Sequence, residues 1–198
     1  MKAIKGYRYT QKDVKMKNQN RVRRLNTPIL IMLFFAVPVI SLSAADPTSD
    51  ASAFLQKGIN SIQSEDYQQA IKDFDKAIEL NPNLAEAYNN RGLVYGKLGN
   101  LQQAIKDFDK AIELNPNYAE AYYSRGIAFG KLGNLQQEIK DYDKAIELNP
   151  DLAQAYYNRG NAHMNLDNLQ QATKDLKTAA LLGLKEAQYF LVSQEIEW

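Results

Sequence analysis

The dipeptide Asn-Pro recurs at Asn81-Pro82, Asn115-Pro116 and Asn149-Pro150, a beat of 34 residues inside a stretch that repeats almost word for word. A period of this size marks a solenoid, because one such unit cannot bury its own apolar face and must stack on a neighbour. Four registers without insertion begin at Ala51, Ala85, Ala119 and Ala153, and the second and third agree at 25 of 34 positions.

In the second register, Ala85, Tyr88, Gly92, Tyr95 and Leu98 fall three or four residues apart and make one stripe of a helix. After Gly99-Asn100 a second stripe runs through Leu101, Ala104, Ile105, Phe108, Ala111, Ile112 and Leu114 and stops at Asn115-Pro116. Each repeat is therefore expected to be two amphipathic helices. Their starts carry Asn or Asp three residues before Gln or Glu, the spacing of a capping box: Asn100 with Gln103, Asn134 with Gln137 and Asn168 with Gln171, then Asn83 with Glu86, Asn117 with Glu120 and Asp151 with Gln154. Pro82, Pro116 and Pro150 lack an N–H and act as stops.

The unit resembles the tetratricopeptide repeat, whose pattern is met at Tyr88, Arg91, Gly92, Tyr95, Ala104, Phe108 and Pro116. The resemblance implies an all-α fold, a right-handed α-solenoid of antiparallel helix pairs. It divides the chain into repeats at 51–84, 85–118, 119–152 and 153–186, with 46–50 as linker and 187–198 as a C-terminal capping helix. Two departures stand out. Ala70, Ala104 and Ala172 occupy the tight crossing of the paired helices, but the third repeat has Glu138, expected to turn outward to water. The fourth repeat replaces its proline with Gly183-Leu184, which suits a terminal unit.

Residues 1–26 hold nine Lys or Arg against Asp13, leaving 15 basic and 22 acidic residues from 27 to 198, a net −7. Ile29 to Ile40 then form an uncharged apolar run broken only by Pro38, followed by Ser41-Leu42-Ser43-Ala44-Ala45. Basic region, apolar core and small residues are the order of an export signal, with cleavage expected before Asp46. An uncleaved N-terminal anchor within 29–45 is the alternative, although the run is slightly short for a span. The long basic region is explained if translation begins at Met16. An acidic repeat region is a poor partner for nucleic acid.

The sequence has no cysteine, which excludes disulfides and thiol chemistry. His163, its one histidine, sits at the slot filled by Tyr95 and Phe129 and reads as core. The carboxylate pairs Asp73/Asp75, Asp107/Asp109 and Asp141/Asp143 lie two apart on a helix and diverge, so they read as a solvated face with Lys72, Lys76, Lys106 and Lys110 between them. No Gly-rich phosphate loop occurs. The reading is of a non-catalytic protein with no cofactor and no metal.

In the resembled family the first helix of each pair lines a concave groove. At the six positions per repeat assigned to that face, the second and third repeats differ three times, against six times at the other 28. The residues so placed are Leu55, Ile59 and Ile62; Asn89, Asn90 and Leu93; Tyr123, Ser124 and Ile127; and Tyr157, Asn158 and Asn161, with Lys97 and Lys131 near one rim. Asn amides pair with backbone while Tyr and aliphatic side chains anchor apolar groups, which suits a peptide or helix of a partner protein. Of the residues with which some family members clamp a C-terminal carboxylate, only Asn90 is matched, so that mode is not expected. The function expected is an exported or tethered scaffold or assembly factor. Self-association through the last helix, with Trp198 at its end, and a plain structural spacer are the alternatives.

Overall fold

The computed structural model describes residues 47–197. Among them are nine α-helices: α1 (Pro47–Gln63), α2 (Tyr67–Leu80), α3 (Ala85–Lys97), α4 (Leu101–Leu114), α5 (Ala119–Lys131), α6 (Leu135–Leu148), α7 (Ala153–Asn165), α8 (Leu169–Leu181) and α9 (Lys185–Ser193). Each first helix packs on its second, and each second on the next first, giving an all-α solenoid closed by α9 against α8. α1 takes in residues 47–50, which the sequence reads as linker, and α9 ends at Ser193. The readings of residues 1–45 and of Trp198 fall outside the described residues.

Two kinds of turn alternate. Within a pair, the chain reverses through a left-handed residue, Gly99 (φ +80°) and Gly133 (φ +76°), where a side chain is strained. Glu65 and Asp167 hold the same repeat position at φ 58° and 56°. Between pairs, Asn81, Asn115 and Asn149 are extended, as a residue before proline must be. Their side-chain Oδ1 atoms accept from the backbone N–H of Asn83, Asn117 and Asp151 at 3.1, 3.1 and 3.2 Å. This corrects the expected caps: α3, α5 and α7 start from Leu84, Tyr118 and Leu152, with no side-chain cap, because the preceding asparagine has already closed the turn. Asp66, Asn134 and Asn168 do cap α2, α6 and α8, whereas Asn100 makes no such bond.

Inside each pair a bulky residue of the second helix lies on a glycine of the first: Phe74 on Gly58, Phe108 on Gly92, Tyr142 on Gly126 and Leu176 on Gly160. A Cβ on Gly92 would meet the Phe108 ring at 2.7 Å, so only glycine lets the helices approach this closely. At the C-terminal end, Leu176, Ala179 and Ala180 of α8 and Ala187 and Leu191 of α9 form one buried cluster.

Successive repeats are joined by a ladder of arginines. Arg125 donates from Nε and Nη2 to Asp141 of its own repeat, at 2.8 and 2.7 Å, and from Nη1 to Asp109 of the repeat before, at 2.6 Å. Arg91 joins Asp107 and Asp75 in the same way, and Arg159 joins Asp175 and Asp143. Each arginine lies 16 residues from both partners. Burial lowers the pKa of Arg91, but the hydrogen bonds and charges of Asp107 and Asp75 outweigh it and raise the net value. The expected solvated carboxylate face is thus corrected. Asp73, Asp107 and Asp141 are buried, and the half-exposed lysines Lys76, Lys110 and Lys144 pair instead with Glu79, Glu113 and Glu147. The two carboxylates diverge so that one serves its own repeat and the other the next.

Candidate partner-binding groove

The ladder and the glycine crossings set the spacing of the first helices, and the 34-residue beat then places Ile59, Leu93, Ile127 and Asn161 at one level of α1, α3, α5 and α7. Between α3 and α5 at this level is a cavity of about 210 Å³. Leu93, Gly96 and Lys97 of α3 and Ser124, Ile127 and Lys131 of α5 line it, together with Ile62 of α1 and the buried Phe108 of α4. Room exists there because two small residues meet: a Cβ on Gly96 would find only the Ala104 methyl, at 4.0 Å.

The electrostatics are one-sided. Lys97 sets its ammonium 5.9 Å from the centre of the Tyr67 ring, and neither Lys97 nor Lys131 is ion-paired among the described residues. An apolar cavity edged by two cations that no carboxylate neutralises favours an apolar side chain flanked by carboxylates.

The remaining assigned residues divide. Leu55 is buried in the core around Phe74, and Ile59 packs against that core, so Leu55 is not a groove residue. Asn89 is only 4% exposed, its Oδ1 lacks a partner and it hydrogen-bonds towards Tyr118. Leu55 and Asn89 share a repeat position with Tyr123 and Tyr157, one that faces the seam between consecutive first helices. Tyr123 accepts from Asn158 Nδ2 across that seam at 3.1 Å and lies 5.8 Å from the ring of Tyr142. Burial raises the Tyr123 pKa and the Asn158 bond partly offsets it. Tyr157 packs on the cluster of α8 and α9. Asn90 and Asn161 are half-buried, and Leu93 is 39% exposed.

Glu138 does not turn outward. Its carboxylate folds over Gly130, where an added Cβ would meet it at 2.5 Å, in the space that stays open beside Gly96 one repeat earlier. Desolvation raises its pKa, with Tyr142 as the hydrogen-bonding neighbour that lowers it in part.

Profiles of the tetratricopeptide repeat match residues 85–118, 108–140 and 153–182, and a further profile described as a TPR repeat matches 62–99 and 131–167. A crystal structure of MamA is 30% identical, with a TM-score of 0.65, over 73% of this chain and 84% of that one. The chain belongs to the tetratricopeptide repeat family. Other members have the same architecture. MamA from residue 41 to its end, from Desulfovibrio magneticus RS-1, is 27% identical with a TM-score of 0.62, over 70% of this chain and 77% of that one. The first TPR of Spaghetti (RPAP3), bound to the HSP90 peptide SRMEEVD, is 28% identical with a TM-score of 0.60, over 61% of this chain and 95% of that one. Within this tetratricopeptide repeat chain the arginine ladder is the feature that residue-by-residue reading missed; its signal is the Arg at 91, 125 and 159 with Asp 16 residues to either side.

Proposed function

We propose that this chain is a non-catalytic scaffold whose concave groove holds a peptide or helix of a partner protein, anchored by an apolar side chain between α3 and α5. The cavity walled by Leu93 and Ile127 and edged by Lys97 and Lys131 carries this reading. A peptide bound to the similar first TPR of Spaghetti supports the type of ligand. The basic stretch followed by the apolar run of residues 29–40 supports an exported or membrane-tethered setting, where such a scaffold serves assembly.

Affinity capture with the full chain tests the groove. Leu93→Arg/Ile127→Arg is expected to lose partners that the wild type and a control on exposed α4, Gln102→Arg, retain. Identical partner lists for all three chains overturn the assignment.

A further inference from the structure

Shifted by one repeat, the cavity walls Leu93, Gly96 and Lys97 become Ile127, Gly130 and Lys131, while Ser124, Ile127 and Lys131 become Asn158, Asn161 and Asn165. Three positions of the far wall thus change from mixed to amide, while Ala128 is kept as Ala162. Behind it, Ala104 is replaced by Glu138, whose carboxylate occupies the space over the bare face of Gly130. The groove therefore passes from an apolar, cation-edged compartment to a polar one with a negative charge within a single repeat.

The fold does not require that charge. The other three repeats place alanine there, and Ala70, Ala104 and Ala172 are buried without loss of the crossing. A half-buried carboxylate is disfavoured unless a cation or enough donors meet it. No Lys or Arg among the described residues pairs with Glu138, and Lys131, at the boundary between the compartments, is not within ion-pair reach. Tyr142 offers one hydrogen bond, and Asn158 is already engaged with Tyr123. Burial raises the pKa of Glu138, and Tyr142 offsets it only in part.

We propose that Glu138 is a second subsite of the groove, taking a Lys or Arg side chain from the partner segment whose apolar anchor sits between α3 and α5. This rests on the groove reading above. Asn158 and Asn161 hold the repeat positions of the cavity-lining Ser124 and Ile127 and carry amide oxygens able to accept from a guanidinium or ammonium. Neighbouring first helices are about 10 Å apart, so anchor and cation are separated by about three residues of extended chain or about two turns of helix. The ligand is thus directional, with acidic residues favoured near Lys97 and a basic one near Glu138.

A phage-displayed library of random peptides, selected on the immobilised full chain, tests this. Wild type is expected to enrich peptides with a large apolar residue and a Lys or Arg at that separation. Glu138→Ala, which restores the residue of the other three repeats, is expected to keep the apolar preference, lose the basic one and bind wild-type-selected peptides about tenfold more weakly. Leu93→Arg should abolish selection. A basic preference that survives Glu138→Ala, or is missing from wild type, overturns the second subsite while Leu93-dependent selection upholds the groove. Absence of any Leu93-dependent selection overturns both.

Discussion

Removing Arg125 separates the two roles of a ladder arginine. Its inner partner, Asp141, has a side chain only 3% exposed, whereas the outer partner, Asp109, is 54% exposed. Arg125→Met keeps the apolar stem but leaves Asp141 a buried anion held only by Gln137 Nε2 at 3.0 Å. Breaking a buried pair from one side costs about 3–5 kcal/mol, and the lost contact with the Tyr122 ring, 5.5 Å away, adds little. Asp109→Ala removes a solvent-screened contact worth about 0.2–1 kcal/mol. At about 2–4 °C per kcal/mol for a chain of this size, Arg125→Met is expected to lower Tm by about 10 °C and Asp109→Ala by about 2 °C. Arg125→Met/Asp141→Leu should recover most of the loss, since replacing both members of a buried pair is nearly neutral. Thermal unfolding followed by far-UV circular dichroism reads all three. Equal losses for Arg125→Met and Asp109→Ala, or no recovery in the double variant, refute the inner–outer distinction.

Glu138 has a folded pKa above its ordinary 4.5, so its contribution to stability is full below that value and lost as pH rises through the folded one. Glu138→Gln should therefore unfold at a higher Tm than wild type at pH 7, with the advantage closing below about pH 4.5; a pH-independent difference in thermal scans counts against the desolvation account. For the export reading, N-terminal sequencing of the chain recovered from its own cells should begin at Asp46. A start at Met1 or Met16 on a membrane-bound chain favours the anchor instead.

Much of this architecture is written in single-residue signals. Asn-Pro fixes the turns between pairs, and the glycine at each crossing and the apolar stripes place the helices and the Phe74, Phe108, Tyr142 and Leu176 slot. What escaped depends on two residues at once. Leu55, Asn89, Tyr123 and Tyr157 share a position whose exposure is decided by the adjoining first helix, so a rule for one repeat puts them in the open when Leu55 and Asn89 are buried. Asp73 and Asp75 truly diverge, yet divergence from a sister carboxylate says nothing about the arginine of another repeat. Glu138 looked bound for solvent because a lone glutamate on a helix can reach it, and the room made by Gly130 is visible only once α5 and α6 are packed.

The ends of the arginine ladder bear on how such a chain grows. Where the first pair would need an arginine reaching back, α1 has Lys57, its ammonium 4.5 Å from the Phe54 ring, and where the last would need an aspartate for a following unit it has Lys177. Every interior unit carries both halves of the joint, an arginine that reaches back and an aspartate that receives from ahead. Duplication of one interior unit by unequal crossover therefore delivers a finished joint on each side, with no compensating change elsewhere. Copy number can rise by recombination alone between Lys57 and Lys177, while a unit added beyond either lysine would join without an arginine rung, as α9 joins α8.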